Sequence, residues 1–289
     1  MFLDDQFSKT GPEWVSLDAN ADVSAGSVID LVNYRYSHLV GRVAKVYKVA
    51  GLEINSTNFL AEGDFGSLII KLLEPKEYGL FQKQQLVYDH IESLSLPAPC
   101  VVGSGLDSIF TKNFHVAIEY VEGNYFSGSS RDLELASDAI IRLHEGFHEI
   151  QLENVPELEV FQENSSSILG EFLKNSDDWE TIFDRKVSAL LKNNMDLMVK
   201  AEVACRYNLP MLTGVKTAIF HMDLHPHNII IDHERASIID LDSLMVSRWP
   251  TAIGFCYFKL VRQVIANQGI ENIDFYEIKG FGEAITERF

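Results

Sequence analysis

The chain has 289 residues and a formal net charge of −18, from 24 lysines and arginines against 42 aspartates and glutamates. A surface this acidic repels phosphate backbones and anionic lipid headgroups, so we expect no nucleic acid and no membrane among its partners. It would attract a cationic small molecule, although an acidic balance by itself commonly does no more than keep a protein soluble.

Predicted strands dominate the first part of the chain. Apolar residues recur at helical spacing within residues 26–42 and predict a helix there. β-Branched runs bounded by glycine-bearing turns then predict strands, and one longer periodic segment predicts a second helix. The strands are expected within residues 42–52, 55–75 (with a turn at 62–66), 100–105 and 115–123, and the second helix within 77–94. We expect a β-rich first lobe over residues 1–119, followed by a linker at 120–123.

The pattern becomes helical in the second lobe, residues 124–289. One helix is predicted within residues 131–150, because its apolar residues recur at alternating steps of three and four. These residues are Leu133, Ala136, Ile140, Leu143, Phe147 and Ile150. Residues 157–206 are also predicted to be mostly helical, and residues 228–232 and 236–242 to form two short β segments. Closing helices are expected at 254–267 and 271–287, so the fold class is α+β.

The cysteines and the chain start carry few signals. Cys100, Cys205 and Cys256 lie far apart and form no C-x-x-C pair, so we expect neither a disulfide framework nor a thiolate zinc site. The first residues lack a basic region followed by an apolar one. No uncharged apolar run reaches the roughly 18 residues of a membrane helix. We therefore expect a cytoplasmic protein.

Residues 220–243, "FHMDLHPHNIIIDHERASIIDLDS", concentrate histidine, aspartate and asparagine side chains in one short window, which could also be a coincidence of polar residues beside buried strands. One interpretation is a zinc-dependent hydrolase, because alternate residues of an extended segment point the same way. The ligands would come from the set His221, Asp223, His225 and His227. Pro226 interrupts the segment and fixes its own backbone angle, which argues against regular alternation.

The second interpretation is phosphoryl transfer. This chemistry needs a carboxylate beside the acceptor hydroxyl and oxygen ligands for Mg²⁺ on the nucleotide phosphates. Asp223 is followed five residues later by Asn228, the spacing of the kinase catalytic loop H-x-D-x-x-x-x-N. Asp240 follows after a β-turn-β excursion that can return the chain to the same place. Asp223 would then face the acceptor while Asn228 and Asp240 hold the metal.

At "HMDLHPHNIIID…IIDLD" the sequence resembles the aminoglycoside phosphotransferase and choline kinase family, the small-molecule relatives of protein kinases. Three further segments fall in the family's order: "INSTNFLAEGDFGSLIIKL" resembles its nucleotide-binding hairpin, "AIEYVEG" its interlobe linker and "IIRLHEG" the helix end carrying L-H. The resemblance spans roughly residues 45–245. It implies a bilobal protein-kinase-like fold that transfers the γ-phosphate of ATP, or of GTP, to a hydroxyl of a small molecule.

The resemblance also assigns nucleotide contacts in the first lobe. Lys71 becomes the lysine that contacts the α- and β-phosphates. Ser56 and Asn58 lie in the hairpin that covers the phosphates, although this hairpin lacks a strict G-x-G-x-x-G. Glu119 and Val121 in the linker would present backbone groups to the adenine edge.

In the second lobe the resemblance implies one catalytic residue and a metal site. Asp223 would orient or deprotonate the acceptor hydroxyl. Asn228 and Asp240 would bind Mg²⁺, and Asp242 would either bind a second Mg²⁺ or cap the next segment. His221 is expected to order the loop.

The sequence departs from the family pattern at two places. Kinase-like folds pair the strand lysine with a helix glutamate, but the best-aligned position here holds Gln84. Either the alignment slips, or Lys71 is held by a neutral amide or by another carboxylate. After Asp242 the chain lacks the G-D-x-x-x-D-L-A segment of many relatives. The acceptor remains unassigned, and the candidate aromatic residues for its pocket are Trp179, Trp249, Tyr257 and Phe258, for most of which core packing is the simpler role.

Two rivals remain beside the zinc hydrolase. Gln84 favours a nucleotide-binding pseudokinase that serves as an interaction module, whereas intact Asp223, Asn228 and Asp240 disfavour it. A protein kinase is disfavoured because the chain has no D-F-G and no A-P-E segment.

Overall fold

The computed structural model describes residues 14–17, 23–49, 58–155, 158–161 and 214–268, with short stretches between 173 and 203 and between 279 and 283. Ser56 and Trp179 lie outside the described residues. The predicted helices at 157–206 and 271–287 fall mostly outside them as well.

A six-stranded antiparallel sheet forms the first lobe. Its spatial order is β1-β2-β3-β4-β6-β5. The strands are β1 Trp14–Leu17, β2 Lys45–Val49, β3 Asn58–Glu62, β4 Ser67–Leu73, β5 Val101–Leu106 and β6 Phe114–Glu119. All of the strands predicted in this part of the chain are confirmed, and β1 is an addition that the sequence did not signal.

One face of this sheet is covered by the first helix. The helix predicted at 26–42 is divided into α1, Val23–Arg35, and a short α2, Ser37–Val40. Val28 and Leu31 of α1 are fully buried and pack in one cluster with Phe59 and Ile70 of the sheet. Burying such side chains stabilises the fold by about 1.5–3 kcal/mol each.

Helix α3, Pro75–Ser93, lies beside the sheet and carries the position expected for the lysine's partner. It begins where the sequence has a start signal: Pro75 occupies the first turn, and Glu74 and Glu77 form a reciprocal capping box. Phe81 and Ile91 are buried in the hydrophobic cluster of the second lobe. The helix therefore joins the two parts of the molecule.

The linker is fixed to the second lobe where it ends. Gly123 has φ +152°, and a Cβ there would lie 2.5 Å from the backbone oxygen of Ile231. No L side chain fits this close approach. The next residues form β7, Asn124–Tyr125, which pairs with β9, Ile229–Ile231.

Helix α4, Ser130–His148, supplies the main apolar face of the second lobe. Ser129 caps it by accepting a hydrogen bond from the Asp132 N–H. The helical face predicted from the sequence is confirmed, with Ile140, Leu143 and Phe147 fully buried.

Two small antiparallel sheets carry the polar segment. Strands β7, β9 and β10, Ala236–Ile238, form one sheet; β8, Thr217–His221, and β11, Leu244–Arg248, form the other. The predicted segments at 228–232 and 236–242 are confirmed but shorter than expected, and β8 and β11 were not predicted. The helix expected at 254–267 is longer and begins earlier, as α5, Trp249–Gln268. The α+β class is confirmed.

Candidate active site

Lys71 and the segment after β10 meet in the cleft. The side-chain Nζ of Lys71 lies 2.9 Å from Asp240 Oδ1 and 2.6 Å from Asp242 Oδ2. Lys71 belongs to β4, a central strand that pairs with β3 on one edge and with β6 on the other. Three residues that the sequence named as site candidates therefore form one ion-pair cluster.

The cluster is electrostatically tight. Burial would lower the pKa of Lys71, but the charges of Asp240 and Asp242 outweigh it and raise that pKa above its usual range. Burial would raise the pKa of Asp240, but Lys71 outweighs it and lowers the pKa. Burial raises the pKa of Asp242, with the charge of Asp240 adding to it and Lys71 opposing. The ammonium thus holds two carboxylates that would otherwise repel each other.

Asp240 adopts an unusual backbone conformation. Its φ is +58° and ψ is +59°, in the left-handed region that non-glycine residues seldom occupy. A short 3₁₀ turn, Leu241–Ser243, follows directly. A residue in such a conformation costs of order 1–3 kcal/mol and tends to occur at functional sites. With this conformation and the turn after it, the Asp240 and Asp242 carboxylates both contact the same ammonium.

Gln84 does not take the place of the missing helix glutamate. Its Nε2 donates to the backbone oxygen of Asp242 at 2.9 Å, and the residue is only 1% exposed. Of the alternatives open at the sequence level, the structure supports the one in which other carboxylates hold Lys71. The helix contributes indirectly, because Gln84 fixes the backbone of a residue whose side chain contacts Lys71.

The loop after β8 presents Asp223 and Asn228. A 3₁₀ turn, Pro226–Asn228, closes the loop, and the Nδ2 of Asn228 donates to the backbone oxygen of Asp223 at 2.9 Å. This bond orients the amide so that its oxygen faces away from Asp223. Asn228 is 5% exposed, whereas half of the Asp223 side chain is open to solvent.

The oxygen chemistry of this set suits a divalent cation. Asp240, Asp242 and Asn228 offer carboxylate and amide oxygens, the ligands that Mg²⁺ prefers. The Asn228 N–H bond to the loop backbone leaves the amide oxygen as the side able to ligate. These residues therefore fit Mg²⁺.

The histidines of the loop are engaged with the backbone. His221 Nδ1 accepts the Asp223 N–H at 3.3 Å and its Nε2 donates to Ile239 O at 3.3 Å; His225 Nδ1 accepts the His227 N–H at 3.2 Å. Burial lowers the pKa of all three rings. Within the part of the chain that the structure describes, no group of three or more His, Cys, Asp or Glu residues is arranged to hold a metal. The arrangement is that of loop ordering and does not favour the zinc interpretation.

A lysine that the sequence analysis missed contacts Asp223. It is Lys259 of α5, whose ammonium forms an ion pair with Asp223 Oδ1. His225 Nε2 lies 3.7 Å from the other carboxylate oxygen, Oδ2. The available signal was a single charge within the apolar run "AIGFCYFKLV". A lysine in such a run is rarely buried without a partner.

The described residues that are predicted to contact the nucleotide lie on β3, β4, β6 and the linker. Asn58 pairs with Lys71 on the neighbouring strand, so the two residues lie side by side. The Glu119 side chain accepts the Cys100 N–H at 3.0 Å, and Val121 lies in the linker that follows β6. A groove of about 1150 Å³ lies along the linker, but its lining includes neither Lys71 nor Asp240. Its lining does include Glu119 and Val121, so the groove borders the backbone that is expected to meet the base.

Two of the four aromatic candidates for the acceptor pocket pack against the core. Trp249 and Tyr257 are partly buried and pack against the hydrophobic cluster of the second lobe. Nothing is described of the Trp179 and Phe258 side chains. No helix in the described part of the chain is both long and apolar enough to cross a membrane.

Comparison with known proteins places the chain in a family. No curated protein sequence matches it. Among solved structures, it is similar to a spectinomycin phosphotransferase complexed with ADP and spectinomycin, with a TM-score of 0.54 and 14% identity over 91% of this chain and 85% of that one. A GDP complex of an aminoglycoside 2'-phosphotransferase mutant gives a TM-score of 0.54 and 15% identity over 90% and 86%. An aminoglycoside phosphotransferase from Alicyclobacillus acidocaldarius has a TM-score of 0.56 and 10% sequence identity to this chain. The match covers 79% of this chain and 71% of that one.

These likenesses confirm the predicted protein-kinase-like fold with a sheet-rich N-terminal part. The sequence model of the phosphotransferase enzyme family matches residues 46–249, which include both the Lys71 strand and the Asp223 loop. The chain belongs to the phosphotransferase enzyme family.

Proposed function

We propose that the protein is a small-molecule kinase that moves the γ-phosphate of ATP to a hydroxyl group. One observation carries the proposal: Lys71 from the first lobe lies within 2.9 Å of Asp240 and 2.6 Å of Asp242, which are 169 and 171 residues away in the chain. This convergence gives a phosphate-binding ammonium and oxygen ligands for a metal in one cleft. ADP, AMP and GDP in the structures of similar proteins support a nucleotide substrate.

Each residue has a role that follows from its chemistry. Lys71 contacts phosphate oxygens as a point positive charge. Asn228, Asp240 and Asp242 hold Mg²⁺, which neutralises phosphate charge when it is bound. Ser56 and Asn58 cover the phosphates, and the backbone of Glu119 and Val121 meets the base.

Asp223 orients the acceptor hydroxyl and takes its proton. The hydroxyl oxygen forms a bond to the γ-phosphorus, and the bond from that phosphorus to the β–γ bridging oxygen breaks. ADP leaves with the bond's electron pair, and the proton passes to Asp223 and then to solvent. Half of the Asp223 side chain is exposed, so an acceptor can reach it from the open side of the cleft.

Titration calorimetry with ATP and with GTP, each with Mg²⁺ and with EDTA, tests the nucleotide and metal roles. We expect weak binding in EDTA, because Lys71 alone supplies too little positive charge for a triphosphate. Equal affinity with and without Mg²⁺ would contradict the metal assignment.

A panel of alcohols then tests the reaction, with ADP release measured by a coupled assay. The panel should include aminoglycosides, amino alcohols, sugars and homoserine-like compounds. ADP release that depends on one acceptor would support the proposal and identify the substrate. Binding of Mg·ATP without turnover on any acceptor, or on water, would instead favour the pseudokinase.

A further inference from the structure

Asp223 is held by a cation from an element that follows the family's catalytic and metal segments. The Lys259 ammonium forms an ion pair with Asp223 Oδ1, and only 16% of the Lys259 side chain is exposed, against 51% of the Asp223 side chain. The lysine thus approaches from the interior and the carboxylate faces outward. Oδ2 lies on the other side, 3.7 Å from His225 Nε2.

The surroundings of Lys259 argue that its charge has a purpose. The neighbouring residues of α5 are apolar: Cys256 is 2% exposed and Leu260 is fully buried. Placing an ammonium among such residues costs free energy unless it is paired, and a methionine or leucine would fill the same space without that cost. Packing alone therefore does not account for a lysine here.

The position also coincides with the second departure from the family pattern. After Asp242 the chain lacks the acidic segment found in many relatives and continues through β11 directly into α5. Helix α5 contains Lys259 and places it beside the Asp223 loop. Helix α5 thus brings a positive charge to the aspartate proposed as the base.

We propose that Lys259 is a positioning residue for the transfer: by holding Oδ1 of Asp223, it leaves Oδ2 directed at the acceptor hydroxyl. Oδ1 already accepts a hydrogen bond from the ammonium and is therefore the less basic oxygen, so the hydroxyl proton passes to Oδ2. The bond changes are those of the proposed reaction, and Lys259 itself neither gains nor loses a proton. This inference rests on the proposed function, since Asp223 matters only if a hydroxyl or water attacks the γ-phosphate.

The test measures ADP release from Mg·ATP, with water as acceptor or with any alcohol that the panel identifies. Lys259→Met should lower kcat by about 100-fold, the scale of a misplaced catalytic group, while KM for Mg·ATP changes less than about twofold because no nucleotide contact is lost. Lys259→Arg should restore much of kcat, and Lys259→Gln, which keeps a donor without the charge, should restore little. Lys216→Met, at an exposed site before β8, is the matched control and should keep wild-type kcat.

A double-mutant cycle separates positioning from a merely structural role. Because Lys259 acts through Asp223, Lys259→Met should change kcat less than about twofold when Asp223→Asn is already present. A further large loss in that background would overturn the proposal and assign Lys259 an independent role. If Lys259→Met does not fold, the contrast between Lys259→Arg and Lys259→Gln decides, and equal kcat in those two variants counts against the charge.

The outcomes also distinguish this inference from the proposed function. Wild-type protein that binds no nucleotide, or binds it without releasing ADP, overturns the proposed function. Wild-type turnover that Lys259→Met leaves unchanged overturns the role of Lys259 alone.

Discussion

The Lys71 cluster and the Lys259 pair both join an ammonium to aspartates of the segment 221–243, but they reach it from opposite ends of the chain. Lys71 comes from the first-lobe sheet and holds two carboxylates, each about half exposed. Lys259 comes from α5 in the second lobe and contacts one carboxylate oxygen of Asp223. The first contact joins the two lobes, whereas the second lies within one lobe.

Replacing one aspartate of each ion pair tests most clearly whether the two pairs have different roles. Asp223→Ala should keep Mg·ATP binding but lower turnover by about 10²–10⁴-fold, the usual worth of a positioned base. Asp240→Ala should lose both metal-dependent binding and turnover, because it removes a metal ligand. Calorimetry and ADP release measure the two effects separately. Equal loss of nucleotide affinity in both variants would show that the two sides do not have separate roles.

Lys71→Met tests the first-lobe cation alone. A hydrogen bond to a charged group contributes about 1.5–3 kcal/mol, so Mg·ATP affinity should fall by roughly 10- to 100-fold. Lys45→Met, which removes an exposed charge from β2 in the same sheet, is the control and should bind as the wild type does. An unchanged affinity in Lys71→Met would remove this lysine from the phosphate site.

Gln84→Glu sharpens the account of how Lys71 is held. A glutamate cannot donate to the Asp242 carbonyl, and it adds a buried negative charge near two others. We expect a loss of about 1–3 kcal/mol in the free energy of unfolding, the scale of a buried acceptor left unsatisfied. Urea unfolding measures it. A variant as stable as the wild type and binding Mg·ATP more tightly would show instead that the carboxylate pairs with Lys71.

A buried histidine beneath the Asp223 loop gives the smallest expected effect. Burial lowers the pKa of His144 to about 3, and its Nε2 accepts the His221 N–H at 3.5 Å. As pH falls below about 6.5, His144 becomes protonated in the unfolded chain but stays neutral in the folded protein. The free energy of unfolding therefore falls. This group contributes at most about 1.4 kcal/mol per pH unit.

His144→Gln keeps an acceptor for His221 but does not titrate in this range. The difference in free energy of unfolding between pH 7 and pH 5 should therefore be smaller in the variant than in the wild type. Urea unfolding at the two pH values gives this difference. The same difference in both proteins would mean that His144 is not the group responsible.

How far the sequence could predict the site depends on how local each relation is. Asp223 and Asn228 are close in the chain, and their spacing matches the kinase catalytic loop, so the sequence placed them in one site. Strand β4 was predictable from its apolar run, but only the family resemblance put Lys71 and Asp240 at the same site, and the direct contact between them was not predicted. A pattern along one segment does not show which residues of a distant segment will contact it.

For the same reason neither the partner of Gln84 nor the role of Lys259 could be predicted. The Gln84 contact is to a backbone carbonyl, which leaves no trace in residue identity. Strands β8 and β11 were missed because each is five residues long and its partner lies across the loop. Short apolar runs of this kind are stabilised by pairing, and pairing is not visible along the chain.

The fixed end of the linker has a mechanical consequence. Because Gly123 is pressed against Ile231 and the next residues pair with β9, the second lobe carries the chain rigidly from residue 123 onward. A rotation of one lobe against the other would then change the backbone at residues 120–122, close to the expected base-binding backbone, and would also shift the packing of α3 against the second lobe. Displacement grows with distance from such an axis, so the base would stay almost still while the phosphate end swings. The linker would thus act as a hinge, and the residues of the cleft farthest from it would move most.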